Sequence, residues 1–169
     1  MYEIFAYILL NIVRVVVAII PGEPVELLGG ILFGVFLGTT LSLIGVIFGS
    51  IAVLFLVKRY GDKLFFLKWK KIQKWKWLKN KKKSELFIFL LFLTPCTPKD
   101  ILTYLVPLYI DINKPRFILL ISLARLPSIL TSSIAGASIM NGNFAVAVII
   151  YVVIAIVGII TLMFRRKEV

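Results

Sequence analysis

The chain contains the same short motif twice. Residues 21–28 (PGEPVELL) and 95–102 (PCTPKDIL) both read proline, two residues, proline, one residue, an acid, an aliphatic residue and leucine. Each copy lies in apolar sequence, where two prolines interrupt a helix and a carboxylate is costly unless protein or water surrounds it. Interrupted, charged segments at corresponding positions in two halves are typical of transporters built from structural repeats. The repeat therefore predicts a polar site within a membrane.

Composition and charge also indicate a membrane protein. Hydrophobic residues make up 60% of the chain, and the mean hydropathy of +1.01 is too high for a soluble domain. Twelve of the twenty lysines and arginines fall between Lys58 and Lys83. A basic cluster beside a hydrophobic span is typical of a cytoplasmic loop that faces anionic lipid. We therefore favour this interpretation over a nucleic-acid-binding surface. The expected partners are membrane lipids, with anionic headgroups at the basic loop, and not nucleic acid; the oligomeric state, a homo-oligomer included, stays open.

Two residue counts narrow the chemistry. The chain has no histidine, which excludes Ser-His and Cys-His catalysis and the usual histidine-bearing zinc sites. Cys96 is the single cysteine, so an intrachain disulfide is impossible. We therefore expect no enzyme, no cofactor and no metal site.

The hydrophobic segments predict an all-α integral membrane protein with two opposed re-entrant helical hairpins in an inverted repeat plus about three transmembrane helices. The whole chain, 1–169, is expected to form a single membrane domain. Its expected parts are a first hairpin and transmembrane helix over 1–57, a basic cytoplasmic loop over 58–85, a second hairpin and transmembrane helix over 86–139, and a C-terminal transmembrane helix over 144–164.

Charge also predicts the orientation of these segments. Short cytoplasmic loops carry lysine and arginine, so residues 58–83, 111–116 and the C-terminus are expected inside, and the uncharged turn at 141–143 outside. Residues 86–110 then begin and end inside, so they must enter, turn and return. The inverted copy places a hairpin over 4–33, entered from outside, before a crossing at 35–57. The predicted hairpin turns contain Pro21, Gly22, Pro24, Pro95 and Pro98.

Longer stretches resemble a known family. Residues 21–34, with glycines at 38, 45 and 49 and the KRYG of 58–61, resemble the central signature of the DedA family, also called SNARE-associated Golgi or VTT-domain proteins. Residues 94–104 resemble its second signature, and residues 124–127 with Gly136 resemble the tail of the domain. The resemblance implies two opposed re-entrant hairpins. It also implies lipid movement between leaflets, of undecaprenyl phosphate or phosphatidylethanolamine in bacterial members and as scrambling in eukaryotic ones, with proton coupling in some members.

Two departures from the family pattern stand out. Many relatives carry arginine three residues before the first proline of the second signature, where this chain has Phe92, while Lys99 supplies a cation just after the second proline. Relatives usually also have a transmembrane helix ahead of the first hairpin, and the roughly twenty residues before Pro21 contain no separate span. Three explanations stay open. The chain is a short member of the family, its given start lies downstream of the true start, or residues 2–20 cross the membrane fully and the first hairpin is distorted. The expected location is the cell membrane, the bacterial inner membrane in particular.

The candidate lipid or proton site combines acids and cations of the two halves. Its predicted members are Glu23, Glu26, Lys99, Asp100, Arg125 and Arg59. Glu26 and Asp100 occupy matching motif positions, which suits either proton coupling or structural ion pairs. Arg125 lies deep in its helix, where its planar fork suits a lipid phosphate or a permanent pair with one of these acids. The role of Arg14 depends on the topology of the N-terminal arm.

Three function classes fit these features. The first is a transporter or scramblase that moves a phosphate-bearing lipid, undecaprenyl phosphate or a phospholipid, between leaflets. The second is an ion or proton exchanger in which the acids carry the ion. The third is a noncatalytic assembly factor for membrane proteins, with the glycine faces as docking surfaces.

Overall fold

The computed structural model describes residues 2–61, 81–93, 99–109 and 113–166, which contain helices and no strand. In chain order the helices are α1 (Tyr2–Val17), α2 (Gly22–Tyr60), α3 (Lys81–Leu93), α4 (Lys99–Tyr109), α5 (Lys114–Met140) and α6 (Phe144–Arg166). The predicted all-α class is confirmed for these residues. The predicted turn at Pro95 and Pro98 and most of the basic loop lie outside the described residues.

Helix α2 reverses direction at Gly34. This residue has φ 74° and ψ −177°, a backbone conformation that glycine alone adopts readily. A methyl group on Gly38 would lie 2.6 Å from the carbonyl oxygen of Gly29, although nine residues of straight helix would separate the two by about 13 Å. Helix α2 therefore consists of a first arm, 22–33, and a second arm, 35–60, that fold back on each other. The first arm ends where the predicted hairpin ends.

The chain between α1 and α2 makes a tight turn at residues 18–21. Ala18 has a left-handed φ of 56°, and its N–H donates to the carbonyl oxygen of Arg14 at 2.8 Å. The Tyr7 hydroxyl of α1 fixes the two arms of α2 beside it. It donates to the carbonyl oxygen of Val25 at 3.0 Å and lies 2.6 Å from the hydroxyl of Ser42, from which it can accept. Helix α1 therefore packs on both arms at once.

Glycines bring the backbones of neighbouring helices into contact. A methyl group on Gly45 would meet the Asn11 side chain at 2.3 Å, and one on Gly49 would meet Val15 at 2.8 Å, so α1 lies directly on the second arm. On the first arm, a methyl group on Gly30 would lie 2.1 Å from the carbonyl oxygen of Ser133 in α5. These glycines therefore serve helix packing. The reversal at Gly34 divides them between the two arms of α2.

Helices α3, α4 and α5 form the second half of the molecule. The main hydrophobic core lies among them and the second arm of α2, around the buried rings of Phe92 and Phe117, whose centroids are 6.5 Å apart. The Tyr104 hydroxyl of α4 donates to the carbonyl oxygen of Val16 and so joins this half to α1. Helix α2 continues to Tyr60 and α3 begins at Lys81, so helix is present at both ends of the predicted basic loop, 58–85, whose cytoplasmic location stays a prediction. Lys58 and Arg59 have good helix propensity and complement the C-terminal dipole of α2.

In the part of the chain that the structure describes, two helices are long and apolar enough to cross a membrane, Gly22–Tyr60 and Lys114–Met140. The described side chains of α6 contribute a shorter apolar stretch over Phe144–Val153. Large apolar side chains such as Phe36, Phe55 and Leu119 are exposed on the outside of the molecule, which fits a lipid environment. The insertion of the two hairpins from opposite faces stays a prediction.

Candidate functional site

One cavity contains nearly all the charged residues that the sequence predicts for the site. Its volume is about 360 Å³. It lies where α1 ends, where α2 and α4 begin, and beside the middle of α5. Its lining consists of Arg14, Ala18, Ile19, Ile20, Pro21, Gly22, Glu23, Glu26, Lys99, Asp100, Ile101, Arg125 and Ser128. Three acids and three cations therefore surround one space.

The first buried ion pair joins α1 to the first arm of α2. Arg14 is 0% exposed, and its Nη2 donates to Glu26 Oε1 at 3.0 Å. Within the described residues, Nη1 and Nε of Arg14 and Oε2 of Glu26 have no hydrogen-bond partner. This pair is buried but its hydrogen bonding is incomplete, which is unusual because unpaired buried polar atoms are costly.

The second buried ion pair joins α4 to α5. Arg125 Nη1 donates to Asp100 Oδ1 at 2.7 Å, and Nη2 donates to Thr103 Oγ1 at 3.1 Å. The guanidinium carbon lies 5.5 Å from the centroid of the Phe92 ring, within the range of a cation–π contact. Arg125 is therefore held at both terminal nitrogens and covered on one face, with Nε unpartnered among the described residues.

The N-termini of two helices face the cavity. Helix α2 begins at Gly22 with Pro21 as its N-cap, and no side chain in the described residues caps it. Helix α4 begins at Lys99, and its first three residues line the same space. The first N–H groups of a helix have no acceptor within the helix, and the helix dipole makes this end positive. Both ends therefore favour an anion, in addition to the arginines and Lys99.

The depth of the cavity follows from α5. Arg125 lies eleven residues after Lys114, the first residue of α5, which corresponds to about 16 Å along the axis. It lies fifteen residues, or about 22 Å, before Met140 at the other end. In a helix long enough to cross a bilayer, this position is near the middle. An arginine at that depth cannot extend to water along its own helix.

Most predicted site residues lie together, and some do not. Glu23, Glu26, Lys99, Asp100 and Arg125 line the cavity, as do the predicted turn residues Pro21 and Gly22. Pro24 is exposed in the first turn of α2 and does not line it. Arg59 does not line it either: it is exposed at the far end of α2, 5.9 Å from the ring centroid of Tyr60. A long cationic side chain at the end of a helix can extend its charged group to water, which explains why Arg59 lies away from the cavity.

Sequence reasoning missed three contributors to the site. Thr103 binds Arg125, Phe92 covers it, and Ser128 lines the cavity. Thr103 was detectable, because it follows Asp100 by three residues and so shares its face of α4. Arg14, whose role the sequence left open, lines the cavity at the end of a polar row on α1 with Tyr7 and Asn11, spaced four and three residues apart.

Comparison with known proteins supports the family resemblance. The family model described as the VTT domain matches residues 20–138, which include both charged motifs, the reversal at Gly34 and most of α5. This family is membrane-associated and implicated in membrane transport. No curated protein and no solved structure matches the chain. Because the match covers well over half of the residues, the chain belongs to the VTT-domain family, the DedA/SNARE-associated Golgi proteins.

Proposed function

We propose that this protein moves a phosphate-bearing lipid, a polyprenyl phosphate such as undecaprenyl phosphate or a phospholipid, between the leaflets of its membrane. The observation that carries this proposal is the charged cavity beside the middle of α5, lined by three acids and three cations. A lipid headgroup that crosses a bilayer must exchange its water for polar protein groups, because hydrocarbon offers none. The cavity offers such groups at the required depth.

Phosphate is the headgroup chemistry that this cavity suits best. Two helix N-termini, two arginines and Lys99 direct donors and positive charge at one space, and these are the groups that proteins use to bind phosphate. Glu23, Glu26 and Asp100 balance the three cations, so that the empty cavity has no formal net charge. The exposed apolar outer surface leaves room for acyl or prenyl chains in the bilayer.

We further propose that the protein lies in the cell membrane, the bacterial inner membrane in particular, with the basic loop and the C-terminus cytoplasmic. The excess of lysine and arginine in residues 58–83 and at 165–167 supports this orientation. Transport rather than catalysis is favoured because the chain lacks histidine and the cavity pairs its acids with arginines.

One observation favours an ion or proton exchanger as the second candidate. Glu26 Oε2 has no hydrogen-bond partner in the described part of the chain, so this carboxylate has a free site for a proton or Na⁺. In that case lipid movement is secondary and ion movement needs no phosphate-bearing lipid.

A reconstitution experiment separates the two candidates. The full chain is placed in liposomes that contain a fluorescent phospholipid or polyprenyl phosphate, with a pH-sensitive dye inside. Lipid movement above that of protein-free liposomes, with no ion gradient applied or dissipated, supports the lipid proposal. Proton or Na⁺ flux without lipid movement contradicts it and supports the exchanger.

A further inference from the structure

Arg14 is a charged residue of the cavity with unused hydrogen-bonding capacity. It is fully buried, yet Nη1 and Nε have no partner among the described residues, and only Nη2 is engaged, with Glu26. Arginine stays charged in proteins, so these N–H groups cannot avoid the cost of burial by deprotonation. Two open donors on a buried cation therefore indicate an anionic acceptor that completes the site.

The open Nη1 of Arg14 is directed at the beginning of α2. A methyl group on Gly22 would lie only 2.2 Å from Nη1, so the guanidinium can approach the first turn of α2 this closely only because residue 22 has no side chain. Gly22 is also the first residue of α2, where the N-cap Pro21 provides no side-chain acceptor. The uncapped N–H groups of the first turn and the guanidinium thus converge on one place.

Arg125 offers less to an incoming ligand. Both of its terminal nitrogens are already used, by Asp100 and by Thr103, and Phe92 covers one face. Only Nε is unpartnered among the described residues. This arrangement is that of a residue that holds α4 against α5, whereas Arg14 keeps donors free.

We propose that Arg14 and the N-terminus of α2 at Gly22 form a phosphate-binding subsite of the cavity. This deepens the lipid-transport proposal and rests on it for the carrier of the phosphate, which is either a lipid headgroup or the free anion. Glu26 occupies one nitrogen of Arg14, and Lys99 lines the same cavity as a second cation. Glu23 also lines it, so the two cations are needed to offset two nearby carboxylates.

Two substitutions test the subsite in different ways. Arg14→Lys keeps the positive charge but removes the planar fork. Gly22→Ala keeps every charge but places a methyl group 2.2 Å from Nη1, so the guanidinium must move away from the first turn of α2. Arg116→Lys is the matched control, because Arg116 is exposed and pairs only loosely with Glu85 at 3.8 Å. The two probes are a fluorescent phosphatidylethanolamine in liposomes and radiolabelled inorganic phosphate with the detergent-solubilised protein.

The measured quantity is the concentration of each probe that gives half-saturation. For both variants we expect this concentration to rise about tenfold for at least one probe, since each variant loses strong charge-assisted contacts to phosphate. If the two residues had a purely structural role, the protein that still folds would keep the wild-type value. Arg116→Lys should match the wild type. Impaired lipid movement assigns the subsite to the headgroup, and impaired binding of inorganic phosphate alone assigns it to the free anion.

If Gly22→Ala has the same half-saturating concentration as the wild type with both probes, the subsite proposal is overturned. This outcome holds even if Arg14→Lys does not yield folded protein by size-exclusion chromatography. Failure of the transport proposal has a different signature. In that case the wild-type protein itself moves no lipid, while its binding of inorganic phosphate and the effect of Gly22→Ala on that binding remain measurable.

Discussion

At the scale of single residues, the cavity shows two ways of keeping an arginine inside a membrane protein. Arg125 is bound by Asp100 and Thr103 and covered by Phe92, so its charge is nearly fully compensated. Arg14 has one carboxylate partner and two open nitrogens. Because compensation determines the cost of a buried charge, the two arginines should respond differently to substitution.

The Arg125–Asp100 pair should be sensitive to loss of either partner. Asp100→Leu or Arg125→Met leaves one buried charge alone, and each should lower the free energy of unfolding by about 3–5 kcal/mol. The double variant removes both charges and should lose much less than the sum of the two. Unfolding by denaturant in detergent micelles measures all three.

The surface pair Arg116–Glu85 provides the control for this cycle. It is mostly exposed and 3.8 Å long, so removing either partner should change the unfolding free energy by less than about 1 kcal/mol. If the loss of unfolding free energy in the double variant equals the sum of the losses in Asp100→Leu and Arg125→Met, the two residues do not form a buried ion pair.

The sequence revealed the participants of the site better than their pairing. Glu26 and Asp100 were predictable because a motif repeat places an acid after two prolines in each half, and local chain chemistry determines that pattern. Which arginine each acid binds was not predictable. Arg14 precedes Glu26 by twelve residues and Arg125 follows Asp100 by twenty-five, so both contacts depend on how separate helices pack.

At the scale of helices, prolines and one glycine decide where the chain turns. The break before α2 could be predicted from Pro21 and Pro24, because two prolines three residues apart each remove a helical hydrogen bond and crowd the preceding turn of a continuing helix. The reversal within α2 was harder to place. The sequence has glycines at 29, 30 and 34, and only the packing of Gly38 on Gly29 and the backbone angles of Gly34 select the last of them.

Gly34→Ala should destabilise the protein through its backbone alone. The residue has φ 74° and ψ −177°, and nothing lies within 4 Å of the position of an added methyl group. The cost of holding alanine in this conformation is about 1–3 kcal/mol, which a lower thermal midpoint in micelles should reveal.

Ala18→Gly is the reverse control for that experiment. Ala18 already has a left-handed φ of 56°, so glycine relieves rather than creates unfavourable backbone geometry there. Its thermal midpoint should not fall. A wild-type midpoint for Gly34→Ala would mean that α2 does not reverse at this residue.

Gly136→Ala should separate the first arm of α2 from α5. The added methyl group would lie 2.1 Å from the carbonyl oxygen of Leu27, and backbone in a packed helix cannot yield as a side chain can. We expect a loss of about 1–3 kcal/mol in unfolding free energy, typical of overpacking.

Gly22→Ala is the matched control for this effect, since its methyl group meets side-chain atoms of Arg14 and Glu26 rather than backbone. It should affect stability less than Gly136→Ala. Equal stability of Gly136→Ala and the wild type would contradict the close contact between α2 and α5.

At the scale of the whole molecule, the predicted topology can be tested directly. Helix α5 separates Lys114 from Asn141 by about 40 Å at the usual helical rise, so the two exposed residues should lie on opposite sides of a bilayer. With Cys96 replaced, a cysteine at Asn141 should react with an impermeant thiol reagent from outside. Cysteines at Lys81, the first residue of α3, and at Lys114 should react only from inside.

The re-entrant hairpin depends on that result. If Lys81 and Lys114 label from opposite sides, the segment between them crosses the membrane once and the inverted repeat is wrong. Same-side labelling supports the hairpin, because residues 86–110 then enter and leave through one face.

The most direct measurement of the central claim compares two lipids that differ only in the headgroup. A fluorescent phosphatidylethanolamine and a fluorescent glucosyldiacylglycerol, with the same labelled acyl chains, are placed in liposomes that contain the full protein. The cavity has arginines and helix N-termini for a phosphate, so the phosphate-bearing lipid should change leaflets much faster than the sugar lipid. Equal rates for the two lipids, or rates equal to those of protein-free liposomes, would contradict transport through this cavity.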